Sequence, residues 1–140
     1  MISTQFLLDT NVLSEPLKPQ PNQKVLELLA THSRAMAVSA TSYQEIVFGY
    51  AKLIDSRRKL GIEAYVYQEI EEKLLILPYD RLAAKWHALE QGRLRRIGKT
   101  PPSLDGQIAA VAATNNLTLV TRNVKDFQYF QGIKIENWFE

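Results

Sequence analysis

The chain has 140 residues, 46% hydrophobic and 23% charged, a balance that gives a folded domain with a substantial core and excludes wholesale disorder. It has no cysteine and only two histidines, His32 and His87, which excludes disulfides, thiolate metal sites, cysteine nucleophiles and a histidine-rich metal centre. With 17 Lys and Arg against 15 Asp and Glu the net charge is +2, too small to mark a nucleic-acid binder, so any such contact must come from a local patch.

Taken in chain order, the N-terminal segment to Asn11 has no basic stretch and an apolar run of only three residues, so it does not read as a secretory signal. No apolar run is long enough to span a membrane, and the expected location is cytoplasmic with no membrane partner. Phe6-Leu7-Leu8 reads as a buried strand that stops abruptly at Asp9. A short helical turn follows before Pro16. Val25, Leu26, Leu28 and Leu29 then mark a helix entered near Pro21. Ala35–Val38 is a second strand. Ser39, Thr41 and Ser42 offer caps for a helix bearing Ile46, Val47, Tyr50, Leu53 and Ile54. Leu60–Glu72 reads as a further helix and Leu74–Leu77 as a third strand, closed by Pro78. Asp80 caps a long helix carrying Leu82, Ala83, Trp86 and Leu89, and Ser103 is the expected cap of a small-residue helix through Ala113. Leu117–Val120 is a fourth strand and Ile133–Ile135 a fifth. Short, continuous strands separated by helices predict one α/β domain over residues 1–140. Its centre is a mainly parallel sheet of four to five strands flanked by helices.

In such sheets ligands bind beyond the carboxyl ends of the strands. Four acids fall at element ends that should open there: Asp9, Glu45, Asp105 and Asp126. Each has a plain structural reading. Asp9 and Asp126 could cap turns, Asp105 suits the first turn of a helix, and Glu45 could close a capping box with Ser42. A Thr41/Gln44 pair could do the same and leave Glu45 free. The conjunction points to a site, because carboxylates crowded at one edge need a cation to neutralise them. Mg²⁺ or Mn²⁺ fits oxygen ligands and phosphate substrates, and such an ion can activate water for phosphodiester cleavage.

Four segments carry a resemblance that runs in order over nearly the whole chain. They are Leu8 to Glu15, Ser42 to Ile46, Pro102 to Ala110, and Thr121 to Phe127. Together they resemble the PIN-domain ribonucleases, and among them the VapC-type toxins of bacterial toxin–antitoxin pairs. The resemblance implies a PIN-like three-layer sandwich and an Mg²⁺- or Mn²⁺-dependent endoribonuclease. It makes Asp9, Glu45, Asp105 and Asp126 the catalytic acids, with Asp9, Asp105 and Asp126 on the metal. Thr10, Asn11, Thr121 and Asn123 are supporting residues, Thr10 and Thr121 through their hydroxyls. It also implies a homodimer and a cognate antitoxin.

Arg93, Arg95, Arg96 and Lys99 form the densest basic cluster and are candidate contacts to an RNA such as a tRNA or rRNA. Tyr43, Phe48, Tyr50, Tyr65 and Tyr67 on neighbouring helices are the expected protein-binding face. His32 and His87 read as incidental. Two alternatives remain. One is a haloacid-dehalogenase-like phosphohydrolase with Asp9 as nucleophile, although the second acid such enzymes need is here Asn11. The other is a catalytically inactive module that binds RNA or protein.

Overall fold

The structure is a computed structural model that describes residues 3–140. Met1 and Ile2, the start of the segment read above as lacking a signal, lie outside the described residues. Five strands form one sheet in the order β3-β2-β1-β4-β5. They are β1 (Phe6–Leu8), β2 (Met36–Ser39), β3 (Leu75–Leu77), β4 (Thr118–Val120) and β5 (Lys134–Glu136). Every neighbouring pair is parallel, with Leu7 opposite Ala37 on one side and Leu119 on the other.

Among the described residues seven α-helices connect the strands: α1 (Thr10–Leu13), α2 (Gln23–Thr31), α3 (Ala40–Ala51), α4 (Arg57–Tyr65), α5 (Arg81–Arg96), α6 (Ser103–Thr114) and α7 (Val124–Phe127). The strand pleat sorts them into two layers. Leu7, Ala37 and Leu119 face Ala83, Leu94, Ile108, Val111 and Phe127 from α5, α6 and α7. Their strand neighbours Phe6, Leu8, Val38 and Val120 face Val12, Val25, Ile46 and Ile70 on the opposite side. Side chains alternate across a strand, so a run apolar at every position is buried on both faces.

Several local expectations change. The helix expected over Leu60–Glu72 begins at Arg57 and, from Val66 to Glu71, winds as a π-helix. β3 is an edge strand, and Leu75 and Ile76 are exposed rather than buried. Ser103 does not cap α6: Pro102 holds the cap position and makes no side-chain bond there. Asp80 caps α5 as expected, accepting from Ala83 N at 2.9 Å. Both histidines have packing roles. His32 packs against Phe6 and Trp138. His87 is buried with Nδ1 2.8 Å from the Tyr79 hydroxyl, and burial lowers its pKa. The His87 ring lies where a Cβ on Gly106 would stand, so only glycine lets α6 approach α5 so closely.

Candidate active site

The chain runs outward from β1 through β2 to β3, then returns to set β4 on the other side of β1. The strand order therefore reverses between β1 and β4, where a crevice opens beyond the carboxyl ends. Asp9 sits there. Its backbone N–H donates to Val120 O at 2.9 Å, which joins the two strand ends. Its side chain caps α1, with Oδ1 accepting from Thr10 N at 2.8 Å. Oδ2 accepts from Thr121 Oγ1 at 2.8 Å and from Asn11 Nδ2 at 3.3 Å. Asn11 Oδ1 in turn accepts from Arg122 N at 3.1 Å, and Thr121 Oγ1 accepts from Asn123 N at 3.0 Å. The hydrogen bonds that orient this buried carboxylate thus come from both strand ends.

The other acids arrive from different elements. Ser39 ends β2 and caps α3 by accepting from Ser42 N at 3.0 Å. Both capping pairs expected from the sequence are therefore absent. Ser42 lies inside the helix, and Thr41 instead donates to Gln107 Oε1 of α6 at 2.9 Å. Glu45 is left free of capping and accepts a long bond from Thr10 Oγ1 at 3.4 Å. Asp105 lies in the first turn of α6, which opens at the carboxyl edge because the helix leads down into β4. Asp126 lies in α7, just past the end of β4.

Electrostatics record that these groups share one neighbourhood. Burial pushes the Asp9 carboxyl up, its bonds from Thr121, Thr10 and Asn11 pull it down, Asp126 adds to the push, and the net direction is upward. Glu45 is raised by burial and then by Asp9. Asp105 is pushed up to about 6 by burial first, then by Asp126, Asp9 and Glu45. Like charges that raise one another's pKa are short of positive charge.

Among the described residues no three acids or histidines converge tightly enough to grip an ion by themselves. The donor set still fits a hard divalent cation that keeps most of its water and takes one or two carboxylates together with substrate phosphate. Such an ion would supply the charge that the raised carboxylates lack.

The expected basic patch is only partly free. α5 leads through a short connection into α6, so its last turn lies toward the site edge. Arg93, however, is held by Glu90 at 2.8 and 2.9 Å and by Tyr129 O at 2.7 Å, and Lys99 lies over the Tyr129 ring. Arg95 and Arg96 remain exposed. Of the five aromatics, Tyr65 bonds Leu13 O and Tyr43 bonds Glu71, whereas Phe48 and Tyr67 are exposed. Asn123 contributes its backbone N–H, with no side-chain bond to an acid. Two polar residues near the site were not singled out from the sequence. Glu15 is buried, with Lys18 Nζ at 2.9 Å and a bond from Asn22 N at 2.8 Å, and locks the turn after α1. Arg122 follows Thr121. Both lie within segments that carry the family resemblance, Leu8 to Glu15 and Thr121 to Phe127, but nothing in the sequence assigns either a role.

A parallel five-stranded sheet with acids gathered at the reversal of strand order is the architecture of a metal-dependent nuclease fold. The chain belongs to the PIN-domain family, whose model matches residues 6–131. It is similar to Toxin FitB of Neisseria gonorrhoeae, 34% identical over 129 residues that span 87% of this chain and 90% of that one. It is also similar to the tRNA(fMet)-specific endonuclease VapC of Salmonella typhimurium, 29% identical and covering 96% of this chain and 98% of that one. Among solved structures, FitAcB from N. gonorrhoeae superposes with a TM-score of 0.87 at 32% identity, covering 97% of this chain and 99% of that one. DNA-bound VapBC from S. typhimurium gives 0.82 at 29% identity, covering 96% and 98%. Nucleases of the VapC group depend in general on a divalent metal.

Proposed function

We propose that the protein is an endoribonuclease of the VapC type, acting with Mg²⁺ or Mn²⁺ as the toxin of a toxin–antitoxin pair. The observation that carries this reading is the four-acid cluster at the β1/β4 reversal, with Asp9 oriented by Thr121, Thr10 and Asn11. Asp9, Asp105 and Asp126 are the residues that would hold the cation, one or two of them directly and the rest through its water. Once bound, the ion supplies positive charge to the scissile phosphate and makes water more acidic.

The chain's own residues do the rest. Thr121 and Asn11 fix the direction of the Asp9 Oδ2 lone pairs. Glu45, raised above the ordinary glutamate range, is suited to take a proton from the attacking water at its carboxylate. That water forms the new P–O bond as the P–O3′ bond breaks, the leaving 3′-oxygen takes a proton from solvent, and the products carry a 5′-phosphate and a 3′-hydroxyl. A covalent aspartyl route is disfavoured, because the second acid it needs two residues after the nucleophile is here Asn11, whose amide donates to Asp9 Oδ2. A transfer RNA is the substrate class to which the Salmonella relative points. The VapBC and FitAB complexes among the neighbours support an antitoxin partner, and a second copy of the chain is the expected companion.

The test is cleavage of labelled RNA by wild type and Asp9→Asn. Wild-type activity should vanish with EDTA and return with Mg²⁺ or Mn²⁺. Asp9→Asn should be inactive yet folded by circular dichroism. Products ending in 2′,3′-cyclic phosphate, or full activity in EDTA, would rule the mechanism out.

A further inference from the structure

A groove of about 410 Å³ opens beside the acid cluster, lined by Arg122, Asn123, Lys125, Asp126, Asn137 and Glu140. One wall is Asp126, which is close enough to Asp9 and Asp105 to raise both. The groove thus shares Asp126 with the site, and Glu140 is the other carboxylate on its lining. Its cations come from the loop after β4 and from α7. Arg122 follows the residue that holds Asp9, and its backbone is pinned by Asn11 Oδ1. Its guanidinium carbon lies 4.8 Å from the centre of the Phe139 ring, which fixes the side chain without using its hydrogen-bond donors. Among the described residues neither Arg122 nor Lys125 forms an ion pair with a carboxylate within 4 Å, and the charge of Arg122 is felt by Glu15, which is already paired with Lys18. By contrast, Arg93 of the basic cluster is already engaged by Glu90.

A planar guanidinium with free donors, braced on an aromatic ring beside a nuclease site, matches the geometry of a phosphate. We propose that Arg122, assisted by Lys125, binds a backbone phosphate of the RNA strand where it leaves the acid cluster along this groove. The proposal rests on the nuclease reading above. It makes Arg122 a substrate-binding residue that sets the path of the strand, whereas the sequence had pointed to Arg93, Arg95, Arg96 and Lys99.

The test measures binding of a fluorescent single-stranded RNA to the full chain in EDTA across a salt series, for wild type, Arg122→Gln, Lys125→Gln and Arg122→Lys. Each phosphate contact to a single strand contributes about 0.7 to the slope of log K against log salt. Arg122→Gln should bind roughly tenfold more weakly and lose about that much slope. Lys125→Gln should lose part of it, and Arg122→Lys should keep the slope while losing some affinity. Mn²⁺ binding should not weaken in any variant, and Arg122→Lys, which keeps the cation over Phe139, should keep the wild-type melting temperature, which separates this role from a structural one. If Arg122→Gln keeps the wild-type slope while wild type still cleaves RNA, the proposal falls and the nuclease reading stands. If wild type neither binds nor cleaves RNA with any divalent metal, both fall. An unchanged RNA slope with weakened binding of a polyglutamate peptide would reassign the groove to a protein ligand and overturn the proposal.

Discussion

Asp105→Asn should stabilise the metal-free protein at neutral pH. In the folded chain burial and three neighbouring acids push Asp105 from its ordinary 3.8 up to about 6. A shift of that size corresponds to about 3 kcal/mol. The carboxyl is only partly buried, and solvent screening reduces this to about 1–2 kcal/mol. Opposing it, a charged Asp in the first turn of α6 gains about 0.5 kcal/mol from the helix dipole, which asparagine forfeits. Repulsion and desolvation win, leaving a net gain of about 1 kcal/mol, or roughly 3 °C in Tm for a chain of this size. The sign with pH follows from the upward direction of the shift. Well below 3.8 the carboxyl is neutral in both folded and unfolded chains, and the substitution gains nothing. The penalty on wild type grows as pH rises from 3.8 to about 6 and is complete above. Thermal melts in EDTA at about pH 2.5 and about pH 8 read this directly. An Asp105→Asn chain no more stable than wild type at the higher pH, or equally stabilised at both, would refute the reasoning.

Two other substitutions probe what holds the site's supports in place. Gly106→Ala should drive a methyl group into the His87 ring, cost about 1–3 kcal/mol and weaken Mn²⁺ binding by displacing Asp105; adding His87→Ala should recover part of both losses, as chemical denaturation and metal titration would report. Glu90→Gln should lose about 1.5–3 kcal/mol at pH 7, because the buried carboxylate accepts from Arg93 and from Gln131 N. Its pKa is lowered, chiefly by Arg93, so wild type keeps this stabilisation above the ordinary glutamate range and loses it as pH falls through the lower folded value. Urea unfolding at several pH values should show the two chains converging in acid.

Much of this molecule was legible in one dimension, because some signals are local. The runs Phe6–Leu8, Met36–Val38 and Leu119–Val120 are short and apolar at consecutive positions, as a strand buried on both faces requires. The acids at Asp9, Glu45, Asp105 and Asp126 could be assigned to one edge because parallel strands all end on the same side. Capping was less legible. Ser39, Thr41 and Ser42 are chemically interchangeable as caps, and the choice of Ser39 depends on where β2 stops, a property of its pairing with β1 and β3.

What the tertiary structure alone decided is which polar groups are already used. Arg93 looked like a free phosphate contact until Glu90 and Tyr129 were found around it. His87 looked idle until α6 was packed upon it at Gly106. Arg122 lay in a segment that carried the resemblance but had no role of its own until Phe139 came to lie against its guanidinium. A charge's availability depends on neighbours distant in sequence, and a sequence read alone supplies the groups but not their partners. The residue types at the site follow from local pattern, whereas the raised proton affinity of Asp105 and the freedom of Arg122 arise only when β1 and β4 meet.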